Sequence, residues 1–217
     1  MLLDMFINAT LQTLLMVGVS AAFAFVAGVP IAVVLTTTAP GGIYARPGVN
    51  RVLGSVVNVL RSAPFIILLV ALIPFTRWVV GTSIGLWAAV VPLSIASTPF
   101  FARMVEVSLR EVDRGLVEAA QAMGCKRGHI VRHVLLPEAL PGIIAGFTLT
   151  VVTMIGSSAM AGAVGGGGLG DLAIRYGYQR FDTVVMLEVI ALLIVLVGAV
   201  QWSGDALARR ANRRERA

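Results

Sequence analysis

Four stretches of this chain run free, or nearly free, of charge for longer than a helix or strand of a soluble domain requires. No charged residue falls between Met5 and Tyr44, between Trp78 and Ala102, or between Ala139 and Gly170, and Glu188 alone interrupts Thr183 to Gly204. A shorter stretch, Ser62 to Thr76, holds the apolar run Phe65 to Pro74 and extends back over Val52 to Leu60. About 20 mostly apolar residues cross a bilayer core. Lipid offers an open backbone no partners, so a spanning element is a helix or a barrel strand, and long runs without strict alternation select the helix. The expected fold is therefore all-α: a polytopic membrane protein with five transmembrane helices in a single domain, residues 1–217. Composition agrees, since 58% of the 217 residues are apolar and only 13% charged. No basic segment precedes the first stretch, and it exceeds the apolar core of a cleaved signal, so it reads as a retained helix.

Five helices leave six non-spanning segments, and these share the 17 basic residues 14 to three. The segments before the first helix, around Arg77, and around Arg175 and Arg180 are poor. The rich ones hold Arg46, Arg51 and Arg61; Arg103, Arg110, Arg114, Lys126, Arg127 and Arg132; and Arg209, Arg210, Arg213, Arg214 and Arg216. Cytoplasmic segments retain Lys and Arg. The N-terminus is therefore expected outside, with the 103–132 segment and the C-terminal tail, 205–217, in the cytoplasm. The tail either rests on anionic lipid headgroups or is a solvated end. Because the basic residues sort by side, the net charge of +6 reads as topology rather than as a nucleic-acid surface.

The polar segment 108–137 is more ordered than a linker. Asp113 is placed to cap a helix starting near Arg114, because a short carboxylate accepts from the free amides of a first turn. Leu116, Ala119, Ala120 and Met123 fall at i, i+3, i+4 and i+7 and form an apolar face, and Gly124 supplies a stop. Such a short stripe needs a partner. By pattern alone it either lies on the membrane interface or docks into a groove on a soluble protein.

Other motifs point away from catalysis. Gly165, Gly167 and Gly170 match G-x-G-x-x-G, yet no strand precedes them, so a bend or a close approach of backbones is the expected role. Lys126 is the sole lysine and lies in no Gly-Lys-Ser/Thr context, which excludes a P-loop ATPase. His129 and His133 stand one helical turn apart without an evident third ligand and read as a solvated face rather than a metal site. Cys125 is the sole cysteine and has no disulfide partner. Gly142 and Gly146 form G-x-x-x-G and permit close helix packing, within the chain or across a dimer. Glu188 lies about two turns from the outer end of the last span, where it marks a pathway or reaches water. Ser157, Ser158 and Met160 are candidates for a pore constriction, since small hydroxyls and a flexible thioether suit a narrow, deformable passage; Met160 also suits a lipid-facing or packed position.

Glu118-Ala119-Ala120, Gly124 and Val134-Leu135-Leu136-Pro137 resemble the EAA loop of bacterial ABC importer permeases, written E-A-A-x3-G-x9-I-x-L-P, with Val134 in place of the usual Ile and Asp113 where many members have Pro. Arg61 to Leu69, Ile73 to Arg77, Gly81 to Gly85, Ser158 to Gly170 and Tyr176 to Tyr178 are similar to the methionine-uptake permeases of that class. The resemblance implies the ABC importer permease fold in a bacterial inner membrane and no enzyme activity in this chain. It implies coupling to an ATPase through Leu116, Glu118, Ala119, Ala120, Met123, Gly124 and Pro137. The implied partners are a second copy of the chain, two ATPase subunits that bind ATP and Mg, an external substrate-binding protein and membrane lipids, with no nucleic acid and no cofactor in this chain. Methionine is the implied cargo. The alternatives are another amino acid or small organic solute and, outside the class, an ATP-independent channel or carrier.

Overall fold

The computed structural model describes residues 2–212, and among these every regular element is helical. Four long helices form the body: α1 (Leu2–Thr38), α5 (Leu86–Arg110), α8 (Leu136–Ala163) and α10 (Thr183–Ala211). Between them lie α2 (Pro47–Ser62), α3 (Phe65–Ala71), α4 (Ile73–Val80), α6 (Arg114–Ala122), α7 (Arg127–Ile130) and α9 (Gly168–Leu172). α7 joins α8 through a π-helical turn, Val131–Leu135, and a second such turn, Ala173–Tyr178, follows α9. Arg213, Arg214 and Arg216 of the expected basic tail lie outside the described residues.

α5 packs between α1 and α8, and α10 lies against α8. Small and hydroxyl residues let the helices approach at several contacts, beside buried Phe101, Met16, Leu93 and Met154, while many other large apolar residues face outward. Gly28 lets Phe101 approach α1, and Gly142 and Gly146 accept Ser108 and Met104 of α5, where a Cβ would come within 2.6 and 2.8 Å of a side-chain atom. The G-x-x-x-G pair therefore serves packing within one chain. Leu187, Ile194, Val195 and Trp202 of α10 project outward and are mostly exposed. That inside-out arrangement is stable only against lipid. Many hydroxyls in the apolar helices are satisfied by the preceding turn: Thr38 donates to Val34 O at 2.6 Å, Ser94 to Val90 O at 2.7 Å and Thr150 to Gly146 O at 2.7 Å.

The second expected span takes a different form. α2 and α3 meet at a bend of 102°, because Pro64 holds Ala63 in an extended conformation and lacks the amide to continue a helix. Pro74 then opens α4. At about 1.5 Å per residue, neither α3 nor α4 crosses a core about 30 Å thick. Among the described residues four helices are long and apolar enough to cross by themselves, and the bent pair α2–α3 reaches that length and apolarity only when taken together. The third expected span is also displaced. Gly81, at φ +82°, ends α4, and α5 begins only after Gly85. Glycines at positive φ likewise end α8 at Ala163, short of Gly170.

Candidate functional site

α6 is fixed at both ends by its own sequence. The Asp113 carboxylate accepts from the Gly115 amide at 2.6 Å. At the other end Gly124 adopts φ +76°, its amide donates to Gln121 O at 2.9 Å and Cys125 donates to Ala120 O at 3.1 Å. These two bonds constitute a Schellman stop and require the positive φ. The segment 108–137 is thus almost wholly helical: Ser108 to Arg110 complete α5, and residues from Arg127 onward join α8.

The apolar face expected on α6 divides in two. Val117 and Ala120 turn inward, Val117 against the cluster that contains Val112 and Leu135. Leu116, Ala119 and Met123 are exposed, Met123 by 76%. The helix is held by one face and offers the other. Glu118, also exposed, lines a groove of about 480 Å³ with Arg110, Arg114 and the turn after α1. That turn is tied to α7 by the Arg127 guanidinium, 5.3 Å from the Tyr44 ring centre. Pro137 sits in the first turn of α8, where the lost amide is absorbed by the π-helical turn: Leu136 N–H bonds five residues back, to Val131 O. The exposed His129 and His133 rings stack at 3.9 Å, and among the described residues no third metal-binding side chain joins them.

The three pore candidates do not share one surface. Ser157 lines a cavity of about 280 Å³ bounded by α5, α8 and the α2–α3 bend. Met160, one turn farther on the same side of α8, is half exposed. Ser158 faces inward, 2% exposed, with its hydroxyl donating to Ile155 O at 2.7 Å. The Ser158 side chain is therefore part of the chain's own core in this conformation. Glu188 is exposed in the second turn of α10, away from that core.

At the opposite end of the bundle from α6, the glycine-rich stretch folds back on α8 and α1. Gly165, Gly167 and Gly168 adopt positive φ. Gln12 Oε1 and Thr13 Oγ1 of α1 each accept at 2.9 Å, from the amides of Gly168 and Leu169. Asp171 accepts from Arg175 beside a second cavity of about 430 Å³. That hydrogen bond, partly opposed by burial, raises the Arg175 pKa above its ordinary value.

The family model of binding-protein-dependent transport system inner membrane components matches residues 28–213. The chain belongs to that family. The permease is 53% identical over 211 residues, 97% of this chain and 94% of the relative, to the probable D-methionine transport system permease protein MetI of Vibrio cholerae. It is 44% identical over 207 residues, 95% of this chain and 93% of the relative, to the methionine import system permease protein MetP of Bacillus subtilis. Its fold matches a chain of the MetNI methionine ABC transporter, solved in inward-facing conformations, at TM-score 0.96 and 49% identity over 98% of both chains.

The permease also buries a charge on α5. Glu106, near the α6 end of α5, is 1% exposed. Arg103 donates to its Oε2 at 2.6 Å, and Arg110 Nη2 lies 2.5 Å from Oε1 as a charge contact without hydrogen-bond alignment. The spacing Arg103, Glu106, Arg110 places all three on one helix face. That spacing was the available signal, but sequence alone does not show which member is buried.

Proposed function

We propose that this chain is the membrane-spanning permease subunit of an ATP-binding-cassette importer and that its cargo is methionine. The observation that carries the reading is α6: a capped helix locked to the body through Val117 and Ala120, with Leu116, Ala119 and Met123 left uncovered. A lever of this kind transmits motion only when a second body grips its free face. The partner is an ATPase subunit that holds ATP and Mg. The near full-length similarity to relatives and a solved transporter named for methionine supports both partner and cargo.

In this reading the α6 end of the bundle is cytoplasmic and the N-terminus is outside, as the division of basic residues supports, 13 to three even with Arg61, at the α2–α3 bend, set aside. α1, the bent pair α2–α3, α5, α8 and α10 serve as five spans. Two copies of the chain face each other across a path lined in part by α8, with Ser157 and Met160 on that side, and an external binding protein delivers the cargo. ATP binding closes the ATPase pair, α6 carries the movement into α5 and α8, and the path alternates between sides. Glu118 supplies a polar contact to the ATPase, Ala119 a close one, and Gly124 and Pro137 fix the angles at which the lever leaves and α8 enters.

Glutamate at both Leu116 and Met123 tests the assignment, since both side chains are exposed and neither supports the core. The expected result is a folded, membrane-inserted chain that loses copurification with its ATPase and whose uptake falls at least about tenfold, or about 1.4 kcal/mol of coupling. Normal complex yield with normal uptake would remove α6 from the coupling role.

A further inference from the structure

The cavity that Ser157 lines contains one charged group, Arg61, whose side chain is exposed on the cavity side of the α2–α3 bend. Arg61 is the penultimate residue of α2, at the 102° bend, and its guanidinium lies 5.8 Å from the ring centre of Phe100. Phe100 is ten residues from the basic end of α5 and 14 from the other. At about 1.5 Å per residue, the guanidinium therefore stands near the middle of the bundle's depth. Among the described residues no carboxylate pairs with it. Ionisable side chains at such depth find partners or serve a pathway, and Arg61 has an aromatic face and a cavity.

The other lining groups fit a defined ligand. Ser97 and Ser157 have no hydrogen-bond partner among the described residues, so both hydroxyls are available to the cavity. Thr153 donates to Leu149 O at 2.8 Å and keeps its lone pairs. Phe65 and Phe100 supply an apolar wall. A planar guanidinium with free hydroxyl donors matches a carboxylate, a hydroxyl acceptor matches an ammonium, and the aromatic wall matches an apolar side chain.

We propose that this cavity is a waypoint for a zwitterionic, apolar-side-chain amino acid inside the permease, with Arg61 and Ser157 binding the carboxylate. The inference rests on the importer reading and gives it a substrate-binding residue within the membrane. A volume of about 280 Å³ suits one small solute.

The test uses the whole ATPase–permease complex in lipid nanodiscs without nucleotide, with equilibrium binding of methionine and of its carboxamide, methioninamide. The wild-type complex is expected to prefer methionine, and Arg61→Gln to bind methionine about 10- to 100-fold more weakly, the loss expected for a hydrogen bond to a charged group. Methioninamide, a net cation without a carboxylate, should bind Arg61→Gln no more weakly than the wild-type complex, so the preference disappears in Arg61→Gln. Ser157→Ala, which leaves the charge and the Phe100 contact in place, should show a smaller loss in the same direction. A loss of affinity for both ligands alike, or no change for either, overturns the site. ATP-driven uptake by the same complexes, reconstituted in liposomes with the binding protein, is measured beside it. Intact uptake with unchanged binding in Arg61→Gln refutes the waypoint alone, whereas absent wild-type uptake refutes the importer reading.

Discussion

Alanine at both Arg103 and Arg110 is expected to destabilise the chain by about 3–5 kcal/mol, because it leaves the Glu106 carboxylate buried without a compensating charge. Glu106 is 1% exposed, whereas the Arg103 and Arg110 side chains are 33% and 52% exposed and reach water on their own. The cost is therefore asymmetric. Removing only Glu106 frees two side chains that can hydrate, and replacing all three residues, with leucine at 106, is expected to restore most of the stability. Thermal unfolding of the detergent-solubilised chain orders the variants. Equal midpoints for the double and triple variants would show that the buried carboxylate is not what Arg103 and Arg110 sustain. The cluster also matters for position: it stiffens the last turns of α5, directly before α6, and Arg110 lines the groove that Glu118 shares.

Valine at Gly170 is expected to cost about 3 kcal/mol or more, the upper part of the range for overpacking. A Cβ there would lie inside the van der Waals surface of the Ala159 backbone, and backbone on both sides leaves no flexible side chain to yield. Gly162 meets the backbone of Gly170 and Asp171 in the same way. Gly18 is the matched control: it is helical with open space around its Cβ position, and alanine there should be neutral or stabilise by about 0.5–1 kcal/mol. Similar losses at the two sites would contradict the fold-back of the glycine stretch onto α8.

The sequence made some of this legible because the physics was local. A helix from Arg114 with Asp113 as its cap and Gly124 as its stop follows from hydrogen bonds within a few residues, and the structure has each of them. The four long spans are likewise set by composition along one stretch of chain. What escaped depends on neighbours distant in sequence. The bend at Ala63 and Pro64 competes with an apolar run that reads as continuous, and the inward turn of Ser158 beside a cavity-lining Ser157 depends on which face of α8 meets α5 and α1. The division of the α6 stripe has the same origin, since Val117 and Ala120 turn inward only where Val112 and Leu135 are brought beneath them. Glu106 is one charge among several near a basic segment, and only the packing of α5 at the centre of the body makes it buried.

Uptake of methionine into liposomes is the most direct test of the reading that force made by another subunit enters through α6. The chain is reconstituted alone, with its ATPase, and with both ATPase and binding protein. Accumulation is expected only in the last case and only with ATP inside reach of the ATPase. Methionine moved by the chain alone, or by the full complex without ATP, would contradict it.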